Sequence, residues 1–503
     1  MRNLSERLVR GSLWITASRG LVNFLGLVST FVLARLLVPA DFGLVALGTT
    51  MLAIVSAVTN LSLSQALVHH RNPTDDHFHA VWTMNAARGL LIGLMFSAAA
   101  IPAAHFYGDP RLQGVMHALG FSVFLSGLAN PRRIMLQKDL VFWQDFVLNV
   151  SQKLIGVVVS VVIALIWRSY WALVLGTIAG QVANVLISYT VLPFRPRPVL
   201  KHLRELWSFS AWLTLSQVIN TINARFDQLL IGKLLGRTDL GYYTVGSNLA
   251  LLPTREATLP LTQTLFPAFS RLAEDPERLR KAYQRAQAMV TAIALPAGVG
   301  VALVARPIVE LTMGEKWLPA VAVIQALASV FALQTLGTLS QPLGMALGRT
   351  RLLFTRDTQV FFIRLPIIIA GMYFYGLQGM ILARVLTGTL TIGANLMIVR
   401  KLTGLGILQQ LGANVRSLIS IATMAAGVFV LRYEFHDSQT KLGLVGEVAS
   451  AAALGAAIYF GTTMALWLLM RRPAGPETEF VRAFSIARSK FSAKSPVGQP
   501  GGL

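Results

Sequence analysis

The sequence predicts an all-α integral membrane protein of about fourteen transmembrane helices. They form two six-helix lobes, related by a parallel repeat around a central cavity, plus two further helices toward the C-terminus. Three observations carry this expectation. The 503 residues are 54% apolar and only 13% charged, with mean hydropathy +0.59, whereas soluble domains carry about 25% charged residues. Apolar runs of about 20 residues, enough to cross a bilayer, recur along nearly the whole chain. A stretch near the start returns 198 residues later.

Spans are expected at 12–37, 42–67, 81–106, 112–130, 142–167, 171–193, 207–232, 240–263, 286–305, 318–340, 358–376, 378–399, 415–432 and 447–470. Alternate connections are rich in Lys and Arg, among them Arg132, Arg133 and Lys138, then Arg195, Arg197 and Lys201, then Arg349, Arg351 and Arg356. About 28 basic residues fall on that side and about 9 on the other, so the positive-inside rule places both termini in the cytoplasm. The net charge of +22 is therefore spread over loops that meet anionic membrane lipids, and no nucleic-acid partner is expected. The start, MRNLSERLVRGSLW, lacks a signal-peptide cleavage pattern and reads as retained. The chain has no cysteine, which excludes disulfides, thiolate metal sites and thiol nucleophiles.

The repeat sets the organisation. Ser12, Trp14, Thr16, Ser18, Leu36, Leu37, Asp41, Gly43 and Gly48 recur as Ser210, Trp212, Thr214, Ser216, Leu234, Leu235, Asp239, Gly241 and Gly246, and Arg35 becomes Lys233. Six spans separate the copies, so both halves run the same way through the membrane about an axis along its normal. The expected division is an N-lobe at 1–200, a C-lobe at 201–405, two appended helices within 406–472 and a basic, disordered tail at 473–503.

Seven cations fall inside spans: Arg19, Arg88, Lys153, Arg225, Arg255, Arg364 and Arg384. Each costs roughly 2.5–3.5 kcal/mol to insert and usually faces a watery, protein-lined interior. In the first span Arg19, Asn23 and Gly26 share one helix face; Gly26 permits close approach, and Arg19 either lines a cavity or snorkels to the headgroups. The equivalent seventh span carries Asn220, Asn223, Arg225 and Asp227, either lining the passage or tying helices together. In the eighth, Arg255 and Glu256 lie beside Pro253 and Pro260, which interrupt the backbone ladder and are candidate hinges. Asp227 and Glu256 are the deep carboxylates that could carry a coupling ion. Arg88 and Arg364 complete the set of cavity candidates.

Other signals are structural. Gly176 and Gly180 fit a close-packing GxxxG pattern. Asp41 and Asp239 sit at helix starts, where a carboxylate caps amide donors. His69, His70, His77 and His79 cluster in a loop without a zinc spacing. There is no Walker loop, hydrolase triad or metal-ligand pair, so no cofactor, no metal and no enzymatic role are expected.

The basic start and first span through Ala40-Asp41-Phe-Gly-Leu-Val-Ala, with the later Arg225-Phe-Asp227-Gln-Leu-Leu-Ile-Gly232 and Asp239-Leu-Gly-Tyr-Tyr243, resemble polysaccharide transporters of the Wzx type. These belong to the multidrug/oligosaccharidyl-lipid/polysaccharide flippase superfamily. The resemblance extends over roughly residues 5–470. It implies a bacterial inner-membrane flippase moving an undecaprenyl-pyrophosphate-linked oligosaccharide from the cytoplasmic to the periplasmic leaflet. It also implies cavity arginines on the pyrophosphate, with Arg19 and Arg255 on comparable helices. A polysaccharide polymerase and export machinery would be further partners. The competing readings are a peptidoglycan-precursor flippase, a multidrug cation antiporter of the same superfamily, and a membrane polymerase or ligase.

Overall fold

The computed structural model describes residues 2–59, 74–138, 141–199, 211–434, 440–471 and 475–478. Among these residues every regular element is a helix, as the composition dictates: within hydrocarbon, each backbone amide must find its partner inside its own segment. The chain divides into two compact units, residues 1–245 with 312–317 and residues 246–311 with 318–503.

The first unit holds α1 (Arg2–Leu36), α2 (Pro39–Thr59), α3 (Asp75–Ala98), α4 (Ala100–Tyr107), α5 (Arg111–Gly127), α6 (Arg133–Lys138), α7 (Phe142–Trp167), α8 (Trp171–Val191), α9 (Ala211–Leu234) and the start of α10 (Arg237–Arg271). Glycines let its helices touch. A methyl group on Gly93 would lie 2.9 Å from the Gly120 carbonyl, which seats α3 on α5, and Gly180 meets the Gln152 carbonyl at the same distance, which seats α8 on α7. The GxxxG stretch is thus a packing surface.

The second unit continues α10 and adds α11 (Pro276–Leu303), α12 (Ala305–Thr312), α13 (Pro319–Gln334), α14 (Ser340–Ala346), α15 (Thr350–Thr403), α16 (Ile407–Gly412), α17 (Val415–Glu434) and α18 (Lys441–Leu469). The expected spans 358–376 and 378–399 are the two arms of α15. They meet at Gly376, whose φ of 57° and ψ of −136° are non-helical. Gly371 and Gly379 then face each other across the bend. Beyond α18, Glu477 forms a buried ion pair with Arg416 at 3.2 Å. The segment 484–503 lies outside the described residues.

Several boundaries differ from expectation. The span expected at 81–106 starts earlier and is two helices, α3 and α4, bent by 42°. His77 and His79 belong to the first turns of α3, not to a loop. The Thr74 amide donates to His77 Nδ1 at 3.3 Å, so the ring caps the helix. His69 and His70 lie outside the described residues, and among those described no cluster could hold a metal ion. By length and apolarity nine of the described helices suit a membrane crossing, or ten if the bent pair is one span. The 17-residue α5 and the more polar α9 and α10 fall outside that measure.

The repeat reappears as geometry within the first unit. A methyl group on Gly43 would overlap the Arg237 carbonyl, and one on Gly241 would overlap the Pro39 carbonyl. Gly43 and Gly241 are repeat equivalents, and so are Pro39 and Arg237. The contact is therefore reciprocal, as a two-fold relation requires. A second reciprocal pair reinforces it: Arg35 donates to the Thr312 carbonyl at 2.9 Å, while its equivalent Lys233 donates to the Phe106 carbonyl. Trp317 Nε1 donates to the Ala34 carbonyl at 2.9 Å and Lys316 to the Arg35 carbonyl at 2.8 Å. These bonds explain why 312–317 joins the first unit. Burial, and then repulsion from Arg35, holds the Lys316 ammonium pKa below its ordinary value.

Candidate functional site: two cationic cavities

Two cavities in the first unit collect its deep cations. The first, about 540 Å³, lies between α1, α7 and α8. Arg19 and Asn23 line it from α1, and Lys153 lines it from α7 with Asn149 and Gln152. The expected one-face stripe on α1 is present, and Gly26 has a specific neighbour. A methyl there would sit 3.4 Å from Lys153 Cε and 3.5 Å from Nζ, so the lysine tip rests over bare backbone. Asn149 is fixed from behind: Arg133 donates to its carbonyl oxygen at 2.7 Å, and its amide donates to Asp145 at 3.1 Å.

The second cavity, about 400 Å³, lies between α2, α3 and α9 and brings Arg88, Asn220 and Arg225 together. Its remaining walls are small: Ala53, Ser56, Ala57, Thr221 and Ala224. Arg88 donates only a long bond, 3.5 Å, to the Ser56 carbonyl, and its buried Nε has no partner. Arg225 donates to Gln228 Oε1 at 3.4 Å, and the same oxygen accepts from the Thr50 hydroxyl.

Neither cavity is lined by Asp or Glu. Among the described residues, Lys153, Arg88 and Arg225 form no ion pair. They lie eleven, thirteen and fourteen residues into α7, α3 and α9, about 16–21 Å along each axis at 1.5 Å per residue. That is too deep for snorkelling to explain simply. Guanidinium and ammonium groups left without carboxylates at mid-helix make receptors for an anion.

The remaining candidates stand apart. Asp227 is 3% exposed and accepts from the Tyr243 hydroxyl at 3.2 Å; Asn223 is half-buried beside it in sequence. In the second unit Arg255 pairs with Glu256 at 3.1 Å. Helix α10 runs without interruption through Pro253, Pro260 and Pro267. Threonine hydroxyls back-bond along it, Thr254 to Leu251 at 3.0 Å and Thr262 to Leu259 at 3.1 Å, a pattern that eases bending. Arg364 and Arg384 are half-buried on the two arms of α15.

A family model described as polysaccharide biosynthesis protein matches residues 32–322. The chain belongs to that family. It is similar to lipopolysaccharide biosynthesis protein WzxC of Escherichia coli (strain K12), 26% identical over 76% of this chain and 78% of that one. It is also similar to teichuronic acid biosynthesis protein TuaB of Bacillus subtilis (strain 168), 22% identical over 95% and 98%. The fold matches that of lipid II flippase MurJ in its inward closed conformation, with TM-score 0.72 and 13% identity over 92% of this chain and 100% of that one. This member of the family is thus a multi-pass membrane protein, all-helical among the described residues, with the fold of the flippase superfamily that its motifs resemble.

Sequence reading missed one arrangement, which both units of the family member contain. In the first, Arg133 on α6 binds Asp145 of α7 at 2.7 Å and Asn184 of α8 at 3.4 Å. In the second, Arg356 binds Asp357 at 2.9 Å and also Asn395, all on α15. Asp145 and Asp357 stand 212 residues apart, and Asn184 and Asn395 stand 211 apart. That near-constant offset is the signal that could have revealed the arrangement. It was hidden because the two arginines come from non-equivalent positions.

Proposed function

We propose that this polysaccharide biosynthesis protein is a flippase that carries a lipid-linked oligosaccharide repeat unit across the bacterial inner membrane by alternating access, and catalyses no covalent step. The carrier is undecaprenyl pyrophosphate, and the movement runs from the cytoplasmic to the periplasmic leaflet, with both termini cytoplasmic. The observation that carries this reading is the Arg88–Arg225 cavity. Two guanidinium groups without a carboxylate suit a diphosphate, which each can grip through paired N–H donors. The greasy tail needs no such help, since it can stay in the bilayer. Family membership and the fold shared with a lipid II flippase support the same reading. A cation exporter would need a deep carboxylate free to meet its substrate, whereas Asp227 is buried against Tyr243 and Glu256 is paired with Arg255 at 3.1 Å.

In this reading Arg19, Asn23, Asn220 and Asn223 contact the headgroup or its sugars, and Arg255 and Arg364 are the candidate anion-binding cations of the second unit. Asp227 and Glu256 are the groups able to take up a coupling proton. Pro253 and Pro260 are where α10 flexes as two repeat-related lobes exchange packings. The test is deletion of the gene, followed by quantifying lipid-linked repeat units in each leaflet. Accumulation on the cytoplasmic side is the expected result. Accumulation on the periplasmic side would assign the chain a later, polymerising step and end the flippase proposal.

A further inference from the structure

The two cavities of the first unit differ in more than place. The Arg88–Arg225 cavity is the smaller, and beside its two arginines and three alanines it offers one amide, Asn220, and the hydroxyls of Ser56 and Thr221. The α1–α7–α8 cavity is larger and its walls are amides and hydroxyls: Asn23, Asn149, Gln152, Gln181, Ser29 and Thr177 among them. Amides both donate and accept, as a ring of sugar hydroxyls demands. Gln152 donates to Gln181 at 3.3 Å, which leaves the Gln152 oxygen and the Gln181 amino group for a ligand.

A neutral sugar needs no cation, yet this cavity holds Lys153. Its ammonium lies at mid-helix with no ion-pair or hydrogen-bond partner among the described residues. The bare backbone of Gly26 makes room for it. The nearest acid on its own helix, Asp145, is already held by Arg133 at 2.7 Å. Arg19 adds a second positive charge to the lining. A desolvated, uncompensated ammonium is costly unless a ligand neutralises it. The diphosphate does not fill that role if the Arg88–Arg225 fork takes it.

We infer that the α1–α7–α8 cavity is a sugar subsite and that its sugar carries a carboxylate, a uronic acid or its chemical equivalent, bound by Lys153. This rests on the flippase reading and narrows its substrate to acidic repeat units. Asn23, Gln152 and Gln181 bind ring hydroxyls, while Arg133 positions Asn149 without touching the sugar.

The test uses the full-length protein in nanodiscs and two synthetic ligands. One is a short polyprenyl diphosphate bearing a disaccharide that contains glucuronate; the other is its twin with glucose in place of glucuronate. Wild type should bind the glucuronate ligand about tenfold more tightly, the scale of one charge-assisted contact. Lys153→Gln should bring the ratio of the two affinities to about one. Lys153→Arg should keep a preference, which would separate lost charge from lost folding. Arg88→Gln should weaken both ligands and leave their ratio unchanged. Equal binding of the two ligands by wild type, or an undiminished preference in Lys153→Gln, would overturn the acidic-sugar subsite alone. Failure of wild type to bind either ligand would overturn the flippase reading and this inference with it.

Discussion

Cations in the two units differ in what faces them. In the first, Lys153, Arg88 and Arg225 face cavities without a carboxylate in the lining. In the second, Arg255 lies against Glu256 at 3.1 Å, Arg356 against Asp357 at 2.9 Å and Arg432 against Glu447 at 3.0 Å. A paired cation is finished as a structural element, whereas one without a carboxylate is a binding group waiting for its anion. Under the proposed function, recognition falls to the cations of the first unit whose cavity linings hold no carboxylate, while Arg133 of the same unit, held by Asp145 at 2.7 Å, is structural.

The sharpest way to break this contrast is to pair a charge in the first unit. Ser56→Asp places a carboxylate beside Arg88, whose guanidinium already reaches the Ser56 carbonyl. An internal anion would then compete with the substrate's diphosphate. Export of repeat units should fall by about a hundredfold, as far as in the double variant Arg88→Gln with Arg225→Gln, since each charged contact is worth about tenfold or more. Surface polysaccharide, normalised to the amount of protein in the membrane, reads the effect. Normal export by Ser56→Asp would show that this cavity does not meet the substrate.

The repeat offers the next test, because there the copies should behave alike. Gly43 and Gly241 press on each other's helix starts, with no room for a methyl group. Gly43→Ala and Gly241→Ala should each cost about 1–3 kcal/mol through overpacking, seen as matched drops in thermal stability of the purified protein. Gly20→Ala, where nothing lies within 4 Å, should be neutral or mildly stabilising. Unequal losses at the paired glycines would show that the reciprocal contact is not a true two-fold relation.

Much of this architecture was legible because hydrocarbon allows so few solutions. The span expected at 142–167 coincides with α7, and the single-residue gap between 376 and 378 falls next to the break at Gly376. Arg19 with Asn23, and Arg88 with Arg225, could be named because charge inside an apolar run is expensive. What remained hidden depends on which helices touch. Helical spacing put Gly26 on the Arg19 face but could not say that Lys153, 127 residues later, lies over it. Arg133 looked like one more basic loop residue, since positive-inside counting erases the difference between a charge facing lipid and one facing Asp145. The prolines of α10 mark candidate hinges, and the helix runs through them without interruption, because losing one amide donor per proline leaves most of the ladder intact.

In the second unit, Gly376 fixes the turn between the arms of α15. Its φ of 57° with ψ of −136° is a positive-φ conformation nearly closed to L side chains, which costs one about 1–3 kcal/mol. Nothing crowds its missing side chain, so Gly376→Ala should lose only that backbone term. Thermal unfolding should show a modest drop, smaller than at the paired glycines, where a methyl also meets a wall. A drop as large as theirs would place the turn in a tighter environment.

The smallest effect is expected where charge is already paired. Arg255 and Glu256 are adjacent, with side chains 48% and 35% exposed, so the ion pair contributes at most about 1 kcal/mol once screening is counted. Glu256→Gln should therefore leave stability almost unchanged. What it should alter is the charge state of α10: Arg255 would join the class of cations without a carboxylate that the first unit displays. If recognition follows open charge, the variant should bind a polyprenyl diphosphate slightly more tightly than wild type. Its transport should lose pH dependence only if Glu256 carries the coupling proton. Comparing export at two external pH values in Glu256→Gln and Asp227→Asn separates the cases: a change confined to Glu256→Gln assigns the proton to α10, one confined to Asp227→Asn assigns it to α9, and none in either removes both carboxylates from the coupling step.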